Sequence, residues 1–225
     1  MVEWLKSVIS DPGIISAIKV TFTMAVCSTA ISSVLGIVLG LLLERFQFPG
    51  KKIVIRINRT LMGVPPVVVG LVVYLLIMRR GPLGPLSLLF TIKGMVIAQT
   101  LIITPIICGM IYSYARKAAP SIRVFAVTMG ADRWQTAKLT VREKEIYFCM
   151  VTGFGRSISE VGAVMLVGGN IKGRTRTMTT TISLLKSQGI FTEGVALGVL
   201  LLVMAFLLQW ICDILQKEEA EDENY

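Results

Sequence analysis

Arg156 and Glu160 stand four residues apart in an apolar run, with Ser157 and Ser159 beside them. Helical spacing puts the two charges one turn apart on one face, where they can pair. A charge near the middle of a bilayer costs at least about 2.5–3.5 kcal/mol, so such a pair needs a reason. One reading is an internal ion pair that pins helix packing. The other is a polar pathway lining, in which Arg156 attracts an oxyanion and Glu160 holds it in place or helps to gate. The two readings are compatible. A second basic group follows, with Asn170, Lys172, Arg174 and Arg176 interleaved with Thr175 and Thr177. Guanidinium groups, hydroxyls and backbone amides together suit a tetrahedral dianion. They equally suit lipid phosphates or acidic residues on a partner protein.

The elements that must position these groups are membrane spans. The 225-residue chain is 54% hydrophobic, with a mean hydropathy of +0.73, and its long apolar runs are separated by basic segments. About five spans of the required length fit, at residues 14–43, 61–78, 94–114, 146–167 and 194–214, within one membrane domain covering 1–225. The first is longer than a bilayer needs and should tilt, and it is read as a retained span, not a signal peptide. Ser28, Ser32, Gly36 and Gly40 recur along it every fourth residue and make a narrow face for close helix approach. Pro65-Pro66 should kink or unwind the entry to the second span. Residues 83–92 are too short to cross and should lie at the interface or re-enter. The fourth span, read as one helix from Ile146, puts Arg156 about 15 Å along its axis. Residues 217–225 are acidic and should be disordered.

Several classes are set aside by composition. There is no histidine, which removes the commonest general base and metal ligand. The four cysteines, Cys27, Cys108, Cys149 and Cys212, are far apart and read as small core residues, not as a disulfide or metal framework. The net charge of +9 is met by anionic lipid and by topology, and calls for no nucleic acid. The loops after the first and third spans carry more Lys and Arg than the opposite side. This places them in the cytoplasm, with the N-terminus outside and the C-terminus inside. The outer side is still unusually basic, which an anion-collecting mouth at Asn170, Lys172, Arg174 and Arg176 would explain.

The cytoplasmic segment 116–144 is patterned. Pro120-Ser121 can open a short helix whose apolar face holds Ile122, Phe125, Ala126 and Met129, and Gly130 can close it in a left-handed conformation. Asp132 and Gln135 have capping-box spacing for a second short helix. The unit resembles the coupling loop of ATP-binding-cassette importer permeases, in which Glu-Ala-Ala is followed after three residues by Gly. Here that pattern falls on Val124-Phe125-Ala126 and Gly130; the second Ala and the Gly match, and the Glu and first Ala do not. The fourth span carries a closer resemblance. Phe154-Gly155-Arg156, then Glu160-Val161-Gly162-Ala163, then Gly168-Gly169-Asn170-Ile171 are similar to the matching span of molybdate and tungstate importer permeases. The run from Arg174 to Thr180 resembles the tungstate branch.

The resemblance implies an all-α polytopic protein with the type I importer permease (MetI-like) fold, in the cell membrane. It implies coupling to an ATPase through Phe125, Ala126, Gly130, Ala131 and Asp132, and a homodimer served by a separate ATP-binding subunit and an external substrate-binding protein. No cofactor is expected on this chain, since it has no phosphate-binding Gly-rich loop and ATP and Mg²⁺ would belong to the partner. A stand-alone secondary transporter is disfavoured by the lack of internal repeats, and a membrane enzyme by the lack of any catalytic motif. Permeation of another anion, such as sulfate or phosphate, remains open.

Overall fold

The computed structural model describes residues 11–130 and 143–222, and all regular structure among them is helical. The helices, numbered in chain order, are α1 Pro12–Arg45, α2 Lys51–Met62, α3 Pro66–Ile77, α4 Ile92–Thr128, α5 Glu143–Ser159, α6 Gly162–Gly168, α7 Met178–Ser187 and α8 Phe191–Asp222. Local chemistry sets several starts. The Asp11 carboxylate accepts the Gly13 N–H at 2.7 Å and Pro12 occupies the first turn of α1, where a missing N–H costs nothing. Thr91 accepts the Gly94 N–H at the head of α4. Thr177 and Thr180 form a reciprocal capping box at the head of α7.

Packing centres on α4. Along α1 the small face predicted from spacing is buried and pressed on α4. A methyl at Gly36 would lie 2.7 Å from Ile107 Cβ, and one at Gly40 would lie 2.8 Å from Ile111 Cγ2. Backbone-close contact of this kind supplies the van der Waals energy that holds helices together where hydrophobic driving force is absent. Gly36→Ala should therefore overpack the seam at a cost of about 1–3 kcal/mol. It is expected to lower the thermal midpoint of the detergent-purified protein, whereas Gly198→Ala, where an added methyl meets nothing within 4 Å, should not. Equal midpoints for the two variants would show that the seam tolerates parting. A second core joins α3, α4 and α6 through Val73, Ile77, Ala98, Ile102, Ala163 and Val167. On the far side, Ala17, Met178 and Leu197 join α1, α7 and α8.

Among the described residues, α1 and the stretch Ile92–Lys117 of α4 are each long and apolar enough to cross a membrane unaided. The pairs α2–α3 and α5–α6 qualify only when each is taken together, bent by 101° and 59°. The fifth expected span falls on Phe191–Leu207, the apolar first half of α8. Exposed Val195, Val199, Leu202 and Phe206 on that helix suit a lipid or protein neighbour rather than water.

Four expectations are corrected. No new helix opens at Pro120, because α4 continues to Thr128; an interior proline forfeits a hydrogen bond and strains the preceding turn, but the helix runs on past this one. The fourth span is two helices, broken at Glu160-Val161. The acidic tail is not irregular throughout, since α8 runs on to Asp222. The basic stretch after α1 is helical from Lys51 to Met62. Residues 83–92 do stop short of crossing, forming a 3-10 turn at Gly84–Leu86 whose following Leu88 and Leu89 pack on the core.

Candidate translocation site at the broken helix

Glu160 sits where α5 stops and α6 starts. One carboxylate oxygen accepts the N–H groups of Val161 at 3.1 Å and Gly162 at 3.0 Å. These donors have lost their intrahelical partners at the break, and the carboxylate satisfies them. The other oxygen lies 3.5 Å from Arg156 Nη2. The expected pair therefore exists, but Glu160 lies just past the helix end, and its first task is to cap the break. Gly162 is required on packing grounds, because a Cβ there would come within 2.6 Å of Val67 Cγ2 on α3. The pair is asymmetric in exposure: the Glu160 side chain is 6% accessible and the Arg156 side chain 42%. A buried anion thus holds a cation that reaches outward and keeps free valence for another anion.

The remaining predicted residues divide. Ser159 is exposed beside Arg156 and donates to the Arg156 carbonyl. Ser157, expected beside the pathway, is fully buried here and bonded at 2.9 Å to Ser28 of α1, so in this structure it fastens α5 to α1. Sequence reasoning missed Gln99, whose amide donates to the Ser157 carbonyl while its own oxygen is buried without a partner. It also missed Thr179, which donates to the Glu160 carbonyl at 3.0 Å and so links the head of α7 to the break. A polar residue in an apolar run was the available signal for Gln99; Thr179, among neighbouring threonines, carried none.

The outer group has its own architecture. Arg176 donates from Nε to the Asn170 side-chain oxygen at 3.2 Å and from Nη2 to the Asn170 carbonyl. Asn170 itself is left-handed, at φ 52°. Thr175 and Thr177 are buried; Thr175 bridges the Gly168 carbonyl and the Ile171 N–H. The threonines therefore brace the loop and are not anion donors, which corrects that part of the reading. Lys172 and Arg174 remain exposed. Arg174 lines an open cavity of about 750 Å³ together with Lys93 and the 86–92 segment. The inner cluster of Arg156, Ser159 and Glu160 and the outer pair Asn170–Arg176 are separate groups.

At the other end of α4, Val124, Phe125 and Met129 are exposed and Gly130 follows at φ 75°, the left-handed conformation that glycine adopts without strain. Ala126 lies in α4, and Ala131 and Asp132 lie outside the described residues.

Residues 33–219 match the family model described as binding-protein-dependent transport system inner membrane component. The chain belongs to this family. It is a membrane transport component and not an enzyme. Among relatives of this permease, the tungstate uptake system permease protein TupB of Peptoclostridium acidaminophilum is 40% identical, over 92% of each chain. A probable anion ABC transporter permease protein of Haloferax volcanii is 36% identical over 85% of each. In fold the permease is similar to a chain of the inward-facing MetNI methionine ABC transporter, with a TM-score of 0.70 at 17% identity, covering 93% of this chain and 98% of that one.

Proposed function

We propose that this permease carries a tetrahedral oxyanion, tungstate or molybdate, into the cell by alternating access. The observation that carries the reading is the half-exposed Arg156 held by buried Glu160 at a helix break. An anion leaving water needs positive charge and donors in compensation, and the tungstate relative supports the choice of substrate. Two copies form the pathway, with the N-terminus outside and the C-terminus in the cytoplasm. An extracytoplasmic binding protein delivers the anion to Asn170, Lys172, Arg174 and Arg176. A separate ATP-binding subunit, using ATP with Mg²⁺, docks at Phe125, Ala126, Gly130, Ala131 and Asp132. The exposed apolar end of α4 supports that docking, since such side chains gain most from burial under a partner.

The test is uptake of labelled tungstate by the reconstituted complex with its binding protein. Excess molybdate is expected to compete nearly as well as unlabelled tungstate, and sulfate and phosphate poorly. Uptake blocked by sulfate or phosphate and indifferent to molybdate would overturn the substrate while leaving the permease assignment intact.

A further inference from the structure

The helix α2 has three faces with different chemistry. Ile55, Asn58 and Met62 look inward: Asn58 donates to the Pro105 carbonyl at 3.1 Å, and Met62 lies on Gly109 of α4. Lys52, Arg56 and Arg59 share a second, exposed face. Ile53, Ile57 and Leu61 form a third, apolar and also exposed, at 63%, 54% and 45%. No acidic residue occurs between Lys51 and Met62.

With four basic residues in 12, α2 cannot cross the hydrocarbon core. Its axis turns 101° from that of α3, which carries no charge from Pro66 to Ile77. At 12 residues, about 18 Å, α3 enters the hydrocarbon layer without crossing it alone, and a helix perpendicular to it runs along the membrane surface. In that position a basic face and an apolar face meet headgroups and acyl chains respectively. Beside the first turn of α2, an open cavity of about 580 Å³ is lined in part by Lys51, Lys52 and Arg116, with one acidic residue, Glu44, so the lining is net basic and reaches α4.

We propose that α2 is a docking surface for anionic phospholipid. Lys52, Arg56 and Arg59 engage the phosphates, and Ile53, Ile57 and Leu61 enter the upper acyl layer. Charge complementarity decides for lipid over a second copy of the chain, because a like-charged copy would bring these cations together. Each basic side chain near an anionic surface contributes about a fivefold preference.

The test uses the full-length permease in its assembled complex, carrying Ile57→Trp, in nanodiscs of phosphatidylcholine. Part of the lipid is replaced by brominated phosphatidylglycerol or, at equal mole fraction, brominated phosphatidylcholine. The added tryptophan emission, measured against the parent, is expected to be quenched at least about twofold more by the brominated anionic lipid. The further changes Lys52→Gln, Arg56→Gln and Arg59→Gln should erase that difference while leaving quenching by phosphatidylcholine unchanged. Equal quenching by the two lipids in the Ile57→Trp protein would overturn the anionic preference. No quenching by either would mean that protein or water, not lipid, covers this face. The readout does not depend on the transported substrate.

Discussion

Replacing Glu160 by alanine is expected to abolish uptake and to lower the thermal midpoint of the purified complex. The change strips two partly buried backbone N–H groups, those of Val161 and Gly162, of their acceptor. Each unsatisfied donor costs about 1–3 kcal/mol. It also leaves Arg156 without its partner, so the junction of α5 and α6 loses both its cap and its charge balance. Glu160→Gln separates the two roles. An amide oxygen can still accept from the two N–H groups, so the midpoint should stay close to that of the parent while uptake falls. An alanine variant that melts like the parent would show that the carboxylate does not hold the break.

Arg156→Ala should behave in the opposite way. Its side chain is 42% accessible and its ion pair spans 3.5 Å, so solvent screens the pair and its contribution to stability is about 0–1 kcal/mol. The midpoint should barely move. Uptake should fall about tenfold or more, because a charge-assisted hydrogen bond to an anion is worth about 1.5–3 kcal/mol. Arg156→Lys should restore part of the rate but not all, since an ammonium lacks the planar fork that grips an oxyanion. Parent-level uptake by Arg156→Ala in proteoliposomes would remove this residue from the mechanism.

The contrast between these residues shows where sequence suffices. Arg156 and Glu160 were visible because charges are rare in apolar runs and their spacing is local. The small face of α1 was visible for the same reason, as a repeat of four along one helix. The break at Glu160 was not, because the motif around Gly162 carries no sign of a helix end, and the close packing there depends on Val67, which arrives from another helix. Ser157 looked like a lining residue until Ser28, 129 positions away, turned out to share its hydrogen bond. Pro120 resembled a helix start because proline favours first turns, yet the interior of a well-anchored helix absorbs it. The basic stretch of α2 read as loop because charge density hides a threefold division of faces that appears only once α4 is in place. Distant pairings of this kind decide the fine structure of the site, and no window of sequence contains them.

The unbroken course of α4 has a mechanical meaning. At 37 residues it is a rod of about 55 Å, gripped partway along where Gly36 and Gly40 press on Ile107 and Ile111. A rod held there acts as a lever with a fulcrum. Thr128 lies about 26–32 Å beyond the grip and Ile92 about 22–28 Å before it. A sideways push at one end therefore returns at the other as a displacement of similar size and opposite sense. Pro105, whose carbonyl is held by Asn58, stands beside the fulcrum, and Pro120 lies in the arm toward Thr128, so the rod is weakest against bending at the point about which it rocks and at one place beyond it.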